Sequence, residues 1–164
     1  MKTVGIYLTD HLVRFGYVTE IDRQPVLVDK EIPLDSSKSQ DISAAIRNVF
    51  KSDKIQNDRT VLFLPRSVAI VKFVEFPEAG GAELDHMVSF AVTEMVPAKP
   101  EDFVFDYAVL QRPGHGPVKA MVVLVQREIV ANLIDILKKA GLKPDEIRLG
   151  TVSLANQMKA IIQY

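Results

Sequence analysis

Three strand-like segments crowd into the opening third of the chain, and the short links between them leave little choice of topology. Thr3 to Leu8, Leu12 to Val18 and Val26 to Ile32 are rich in β-branched and aromatic residues, and Asp22-Arg23-Gln24-Pro25 makes the turn between the second and third. A parallel return would need a crossover of about a dozen residues or more, so strands this close in sequence pair antiparallel. A meander is expected. Ser36-Ser37-Lys38-Ser39 follows as a loop and helix N-cap, and Ile42, Ala45, Ile46, Val49 and Phe50 then recur at helical spacing. Arg59 to Leu64 reads as a buried strand, bounded by Asn57-Asp58 and Pro65.

The texture changes after Pro65. From Val68 to Phe76 the residues alternate: Val68, Ile70, Lys72, Val74 and Phe76 share one face, and Ala69, Val71, Phe73 and Glu75 share the other. Leu84, Met87, Val88, Ala91, Val92 and Met95 mark a helix over about 82–96, stopped by Pro97. Phe103 to Gln111 and Val118 to Gln126 read as a hairpin around the loop 112–117, and Arg127 to Ala140 reads as a helix with Gly141 as its C-cap. Glu146 to Gly150 could be a last strand, and Thr151 to Ile162 carries a helical pattern. The reading is therefore an α/β (α+β) chain. A ribonuclease-H-like half-domain spans 1–66 plus 143–164. A strand-helix-strand-strand-helix subdomain, 67–142, is inserted into it as a small two-layer unit.

Composition narrows the function classes. With 164 residues, 48% hydrophobic and 25% charged, the chain has the make-up of an ordinary soluble protein. Its 20 basic and 21 acidic residues give a net charge of −1, with no recurrent basic run to meet a nucleic acid. The absence of cysteine excludes disulfides, thiolate metal sites and a Cys nucleophile. No signal peptide is visible, and runs such as Ala120 to Val125 are too short to cross a bilayer. Direct membrane insertion is not expected.

Isolated polar residues offer no catalytic set. His11, His86 and His115 fall in a turn, on a helix and in a hairpin loop, with no second ligand at metal-binding spacing, so no metal site is expected. Glu94 and Asp106 are better explained as structural carboxylates than as an acid/base pair. Ser67 and Ser153 lack a visible His and acid, and Ser153 fits a helix N-cap. Phe90 lies off the main stripe of its helix, which points to a small exposed patch.

Four groups of residues then match a known family. Val4-Gly5-Ile6-Tyr7-Leu8-Thr9-Asp10, followed by Val13-Arg14, resembles the first phosphate loop of the actin-like ATPases. The usual pattern there is Gly-Ile-Asp-hydrophobic-Gly-Ser, with a Lys or Arg a few residues on. Leu64-Pro65-Arg66-Ser67 and Val74-Glu75-Phe76-Pro77 form the second group, and Glu94-Met95-Val96-Pro97 with Phe105-Asp106-Tyr107 the third. The fourth runs through Val125-Gln126-Arg127-Glu128-Ile129-Val130, Ala140-Gly141-Leu142-Lys143-Pro144 and Ser153-Leu154-Ala155. In this order the motifs resemble the N-terminal half of the type IV pilus assembly protein PilM. More distantly, they resemble the cytoplasmic domain of the type II secretion protein GspL. The resemblance covers nearly the whole chain.

The resemblance implies an actin-like fold and a place in an inner-membrane platform. It also shows where this chain departs. Tyr7 stands in place of the metal-side Asp, Thr9 in place of the loop Gly, and Arg66 in place of the Gly after Leu-Pro. A Tyr brings no carboxylate oxygen to magnesium, and a Thr keeps a Cβ where bare backbone should meet phosphate. Thr9, Asp10 and Arg14 are thus a degenerate phosphate loop, for which a polar β-turn is the simpler reading. A full-length relative continues into a second half carrying the other phosphate loop and the adenosine site, so one copy is not expected to form a complete nucleotide cleft. No enzyme activity and no cofactor are expected.

What remains is a cytoplasmic scaffold, peripheral to the bacterial inner membrane through a partner. That partner would be the tail of a PilN-like membrane protein, a GspE-like secretion ATPase, or both, with a homo-oligomer possible. Arg66, Val68, Ile70, Tyr107 and Val109 are the candidate partner-binding residues. The competing readings are an ATP-binding actin-like switch completed by a second half, and a free-standing binding module unrelated to secretion.

Overall fold

The computed structural model describes residues 3–9, 11–21, 24–34, 38–55, 58–96, 99–111, 114 and 116–151. Asp10, His115, Pro97, Ser153 and the helical pattern beyond Thr151 lie outside the described residues. The chain divides into two compact units, Met1–Ser67 with Ala131–Tyr164, and Val68–Val130.

The first unit holds a five-stranded sheet, β1 (Thr3–Leu8), β2 (Leu12–Ile21), β3 (Gln24–Pro33), β4 (Arg59–Leu64) and β8 (Glu146–Leu149), in the order β3-β2-β1-β4-β8. β1, β2 and β3 form the expected antiparallel meander, while β4 and β8 join in parallel. The second and third strands are longer than their sequence pattern. Pairing continues to Ile21 opposite Gln24, so Gln24 and Pro25 belong to the strand and not to the turn. A proline fits there because β3 is the sheet edge, where an N–H facing away from the ladder is not needed.

Pleating sends Val4, Ile6, Leu8, Val13, Phe15, Leu62 and Leu64 to one face, all buried. Helix α1 (Ser39–Ser52) covers that face with Ile42, Ile46 and Val49, and the Phe50 ring meets Phe15 edge-on with centroids 6.0 Å apart. The N-cap residue is Lys38, within the expected capping segment, and the cap is not made by its side chain. Ser43 is used inside the helix. Its buried hydroxyl lies 2.6 Å from the Ser39 carbonyl and 3.0 Å from that of Ile136 in helix α3 (Arg127–Lys139). Ile136, Leu137 and Ala140 are buried too. The second half of α3 therefore belongs to the first unit, and the division falls at 130/131, where the sequence pattern alone suggested 142/143.

The second unit is an antiparallel sheet of three strands in the order β5-β7-β6: β5 (Ala69–Phe76), β6 (Phe103–Gln111) and β7 (Val118–Gln126). A single turn of 3-10 helix, Arg66–Val68, leads into β5. Helix α2 (Ala82–Met95) lies on the face built by Phe76, Phe103, Val118, Ala120, Val122 and Leu124, and contributes Leu84, Val88 and Val92 at four-residue intervals. The Tyr107 hydroxyl donates to the Asp85 carboxylate of α2 at 2.5 Å, tying helix to strand.

Candidate functional site

Thr9 closes the turn between β1 and β2 with its own side chain. Its hydroxyl oxygen accepts the Leu12 N–H at 3.1 Å and the His11 N–H at 3.3 Å, and the Thr9 N–H donates to the Leu12 carbonyl at 3.0 Å. This is a side-chain-stabilised turn, the ordinary use of Thr in such a link. Arg14 lies one strand-face away from the turn and is also engaged. Its guanidinium forks onto the Asp29 carboxylate, with Nε 2.8 Å from Oδ1, and Nη1 reaches Glu31 at 3.2 Å. The bond to Asp29 raises the Arg14 pKa and, in return, holds the Asp29 carboxyl below its ordinary value. Tyr7 sits between Arg14 and Phe63 in register, on the same face. Of these three residues, Tyr7 carries no carboxylate, Thr9 is hydrogen-bonded within the turn, and Arg14 is paired to acids.

That face of the sheet, opposite α1, carries a cavity of about 420 Å³. Its floor is Gly5 paired directly with Gly16, beside Tyr7 and Phe63. A Cβ on Gly5 would come within 2.9 Å of the Phe63 ring, so any side chain there would force that ring to shift. The rim charges satisfy one another. Arg59 and Arg148 both reach Glu146, the latter at 2.6 Å, as Arg14 reaches Asp29 and Glu31. On the opposite face, Tyr17 and Lys30 converge on Asp53 just after α1, at 3.1 and 2.9 Å. The Lys30 and Ser52 bonds hold the Asp53 carboxyl low, while burial and then Asp53 push the Tyr17 hydroxyl up. No group of three or more metal-ligating side chains occurs among the described residues. The sequence signal for the cavity was the isolated glycine in each of two strands, which marks a close approach.

The predicted partner residues do not gather at one place in the second unit. Val68 ends the 3-10 turn before β5 and Ile70 lies within β5, whereas Tyr107 and Val109 lie on β6, the opposite edge of the sheet. Ile70, Tyr107 and Val109 all point to the α2 side. Arg66 stands exposed in the turn before β5. Glu94 and Asp106 cannot meet, because Asp106 shares its face with Val123 and Val71, away from α2. The edges themselves differ. β3 carries prolines at 25 and 33, and β6 is broken by a bulge between Val109 and Gln111, but β5 runs eight residues with neither.

A five-stranded mixed sheet with a small α+β subdomain between its strands is an actin-like fold. Solved structures of that class match. The PilM-PilN type IV pilus biogenesis complex superposes with a TM-score of 0.77 at 18% identity, over 91% of this chain and 47% of the matched one. The cytoplasmic domain of EpsL, an inner-membrane component of the type II secretion system of Vibrio cholerae, gives 0.63 at 16%, over 91% and 57%. A Bacteroides thetaiotaomicron protein with an actin-like ATPase fold and unknown function gives 0.50 at 14%, over 96% and 55%. The chain thus spans about half the length of the solved structures it matches. No curated protein matches the sequence. The sequence profile of the type IV pilus assembly protein PilM matches residues 13–164, and the chain belongs to that family.

Proposed function

We propose that this chain is a non-catalytic scaffold on the cytoplasmic side of a type IV pilus or type II secretion platform. It holds the tail of a PilN-like membrane protein, and a GspE-like secretion ATPase is a further candidate partner. The observation that carries the reading is the β5 edge. Among the described residues, Ala69–Phe76 pairs on one side with β7, and Ile70–Phe76 presents its other side at the sheet edge without proline or bulge. Natural sheets usually blunt such an edge, and an extended peptide can add to it by main-chain pairing. Val68 and Ile70 would take alternate side chains of the added strand, with Arg66 beside its end. Tyr107 and Val109, on the far edge, are secondary. Membership in the PilM family and the fold shared with the PilM-PilN complex support a partner of this kind. No helix among the described residues is long and apolar enough to span a membrane, so the attachment would go through that partner.

Against nucleotide binding count the engaged Thr9 and Arg14 and the missing carboxylate at Tyr7. The test is a titration of the isotope-labelled chain with a synthetic peptide of the PilN-like protein's cytoplasmic tail. Amide shifts concentrated on 68–76, weakened by Ile70→Asp, are expected. No shift there at high micromolar peptide, or magnesium-ATP protection lost on Thr9→Ala, overturns the scaffold reading.

A further inference from the structure

The face of the second sheet turned away from α2 is buried at its Ala69–Val125 end, and beyond that end it is apolar and reaches solvent at Phe73. Phe73 stands 72% exposed on β5, next to Met121 of β7 and Ala108 of β6 in one cross-strand row. Val71 and Val123 continue the row behind it, with Asp106 at its β6 end. Leu110, in the bulge, is 51% exposed. Beyond Phe73, Glu75 and Lys119 pair with each other at 3.0 Å and close the patch with a neutral rim.

Two features decide what fits. The first is width. Three strands about 4.8 Å apart span roughly 10 Å, the diameter of one helix. The α2 side shows this fit, since a single fourteen-residue helix covers it. The second is charge. Asp106 is exposed within the apolar rows, bonded only to the N–H of its own neighbour Tyr107 at 2.8 Å, with no cation beside it among the described residues. We infer that this face is a docking surface for an amphipathic helix of a partner protein. Its apolar stripe would cover Phe73 and Met121, and a Lys or Arg would meet Asp106. The surface is built from side chains on a sheet face, so it is independent of the main-chain edge of β5.

The test uses the labelled chain and two designed eighteen-residue helical peptides with the same leucine stripe, one with lysine on its polar positions and one with glutamate. The Leu/Lys peptide is expected to shift the signals of Val71, Phe73, Ala108 and Met121, and to bind at least about tenfold more tightly than the Leu/Glu peptide. Phe73→Asp, at an exposed position, should abolish those shifts while leaving the thermal midpoint near that of the parent. Asp106→Lys should reverse the peptide preference. Equal binding of the two peptides, no shift on this face, or shifts that survive Phe73→Asp overturn the inference. Sedimentation provides the other arm: concentration-dependent dimerisation abolished by Phe73→Asp assigns the face to a second copy of the chain and overturns it too.

Discussion

Both sheets rest one side on helices, and they differ in what the other side carries. In the first unit that side holds two glycines facing each other, Val18 and Leu27 exposed toward the β3 edge, and a rim of arginines, each already matched to an acid. In the second it holds Phe73, Met121, Ala108 and Asp106, which has no cation partner among the described residues. Both faces expose apolar side chains, and the contrast lies in their charges. Where the charges are satisfied within the fold, the surface asks little of a partner, because exposed pairs contribute weakly and are screened by salt. Where large apolar side chains stand in water beside one unpaired acid, a partner gains from covering them.

Three substitution experiments could break or sharpen this contrast. The largest effect is expected at the face of the first sheet that α1 covers. Phe15 is fully buried there against Phe50, and Phe15→Ala should cost about 3–5 kcal/mol in urea unfolding. A loss near that of a surface substitution would mean the core lies elsewhere. Next comes the glycine pair on the opposite side. Gly5→Val should destabilise by roughly 1–3 kcal/mol, because its Cβ meets the Phe63 ring. Gly16→Val meets no heavy atom within 4 Å and should be neutral or stabilising by up to about 1 kcal/mol, since valine loses less chain entropy and suits a strand. Equal costs at the two positions would mean that something presses on Gly16 as closely as Phe63 does on Gly5.

The smallest effect concerns Asp53, whose carboxyl is held below its ordinary value by Lys30 and Ser52. A depressed carboxyl adds stability above its unfolded pKa of about 4, and that stability fades as pH falls through the lower folded value. The thermal midpoint of the parent should therefore drop on acidification below about pH 4 more steeply than that of Asp53→Asn. Parallel profiles would show that the Tyr17-Lys30-Asp53 cluster contributes nothing.

Much of the architecture is legible in the residues. β6 and β7 run as their alternation says, 103–111 and 118–126, because a period of two is a local property bounded by a Gly- and Pro-rich loop. The same alternation divides Ile70 and Val74 from Val71 and Phe73 correctly. Local pattern failed where neighbours decide. Asp22-Arg23-Gln24-Pro25 has turn composition, yet an edge position lets Gln24 and Pro25 remain in the strand. Ile70 and Tyr107 share one side of their sheet but lie on its opposite edges, because β7 runs between their strands, which no local pattern shows.

The order of strands and helices, the two faces of each strand and the aromatic side chain at position 7 follow from the chain's own residues, since each depends on backbone period or on side-chain chemistry at one place. Cross-strand register is another matter. It set Gly5 against Gly16, gave Arg14 to Asp29 and Asp106 to the outer face, and put β5 at a sheet edge. Those outcomes needed the assembled sheets, because which residues become neighbours across strands depends on contacts between segments far apart in the sequence.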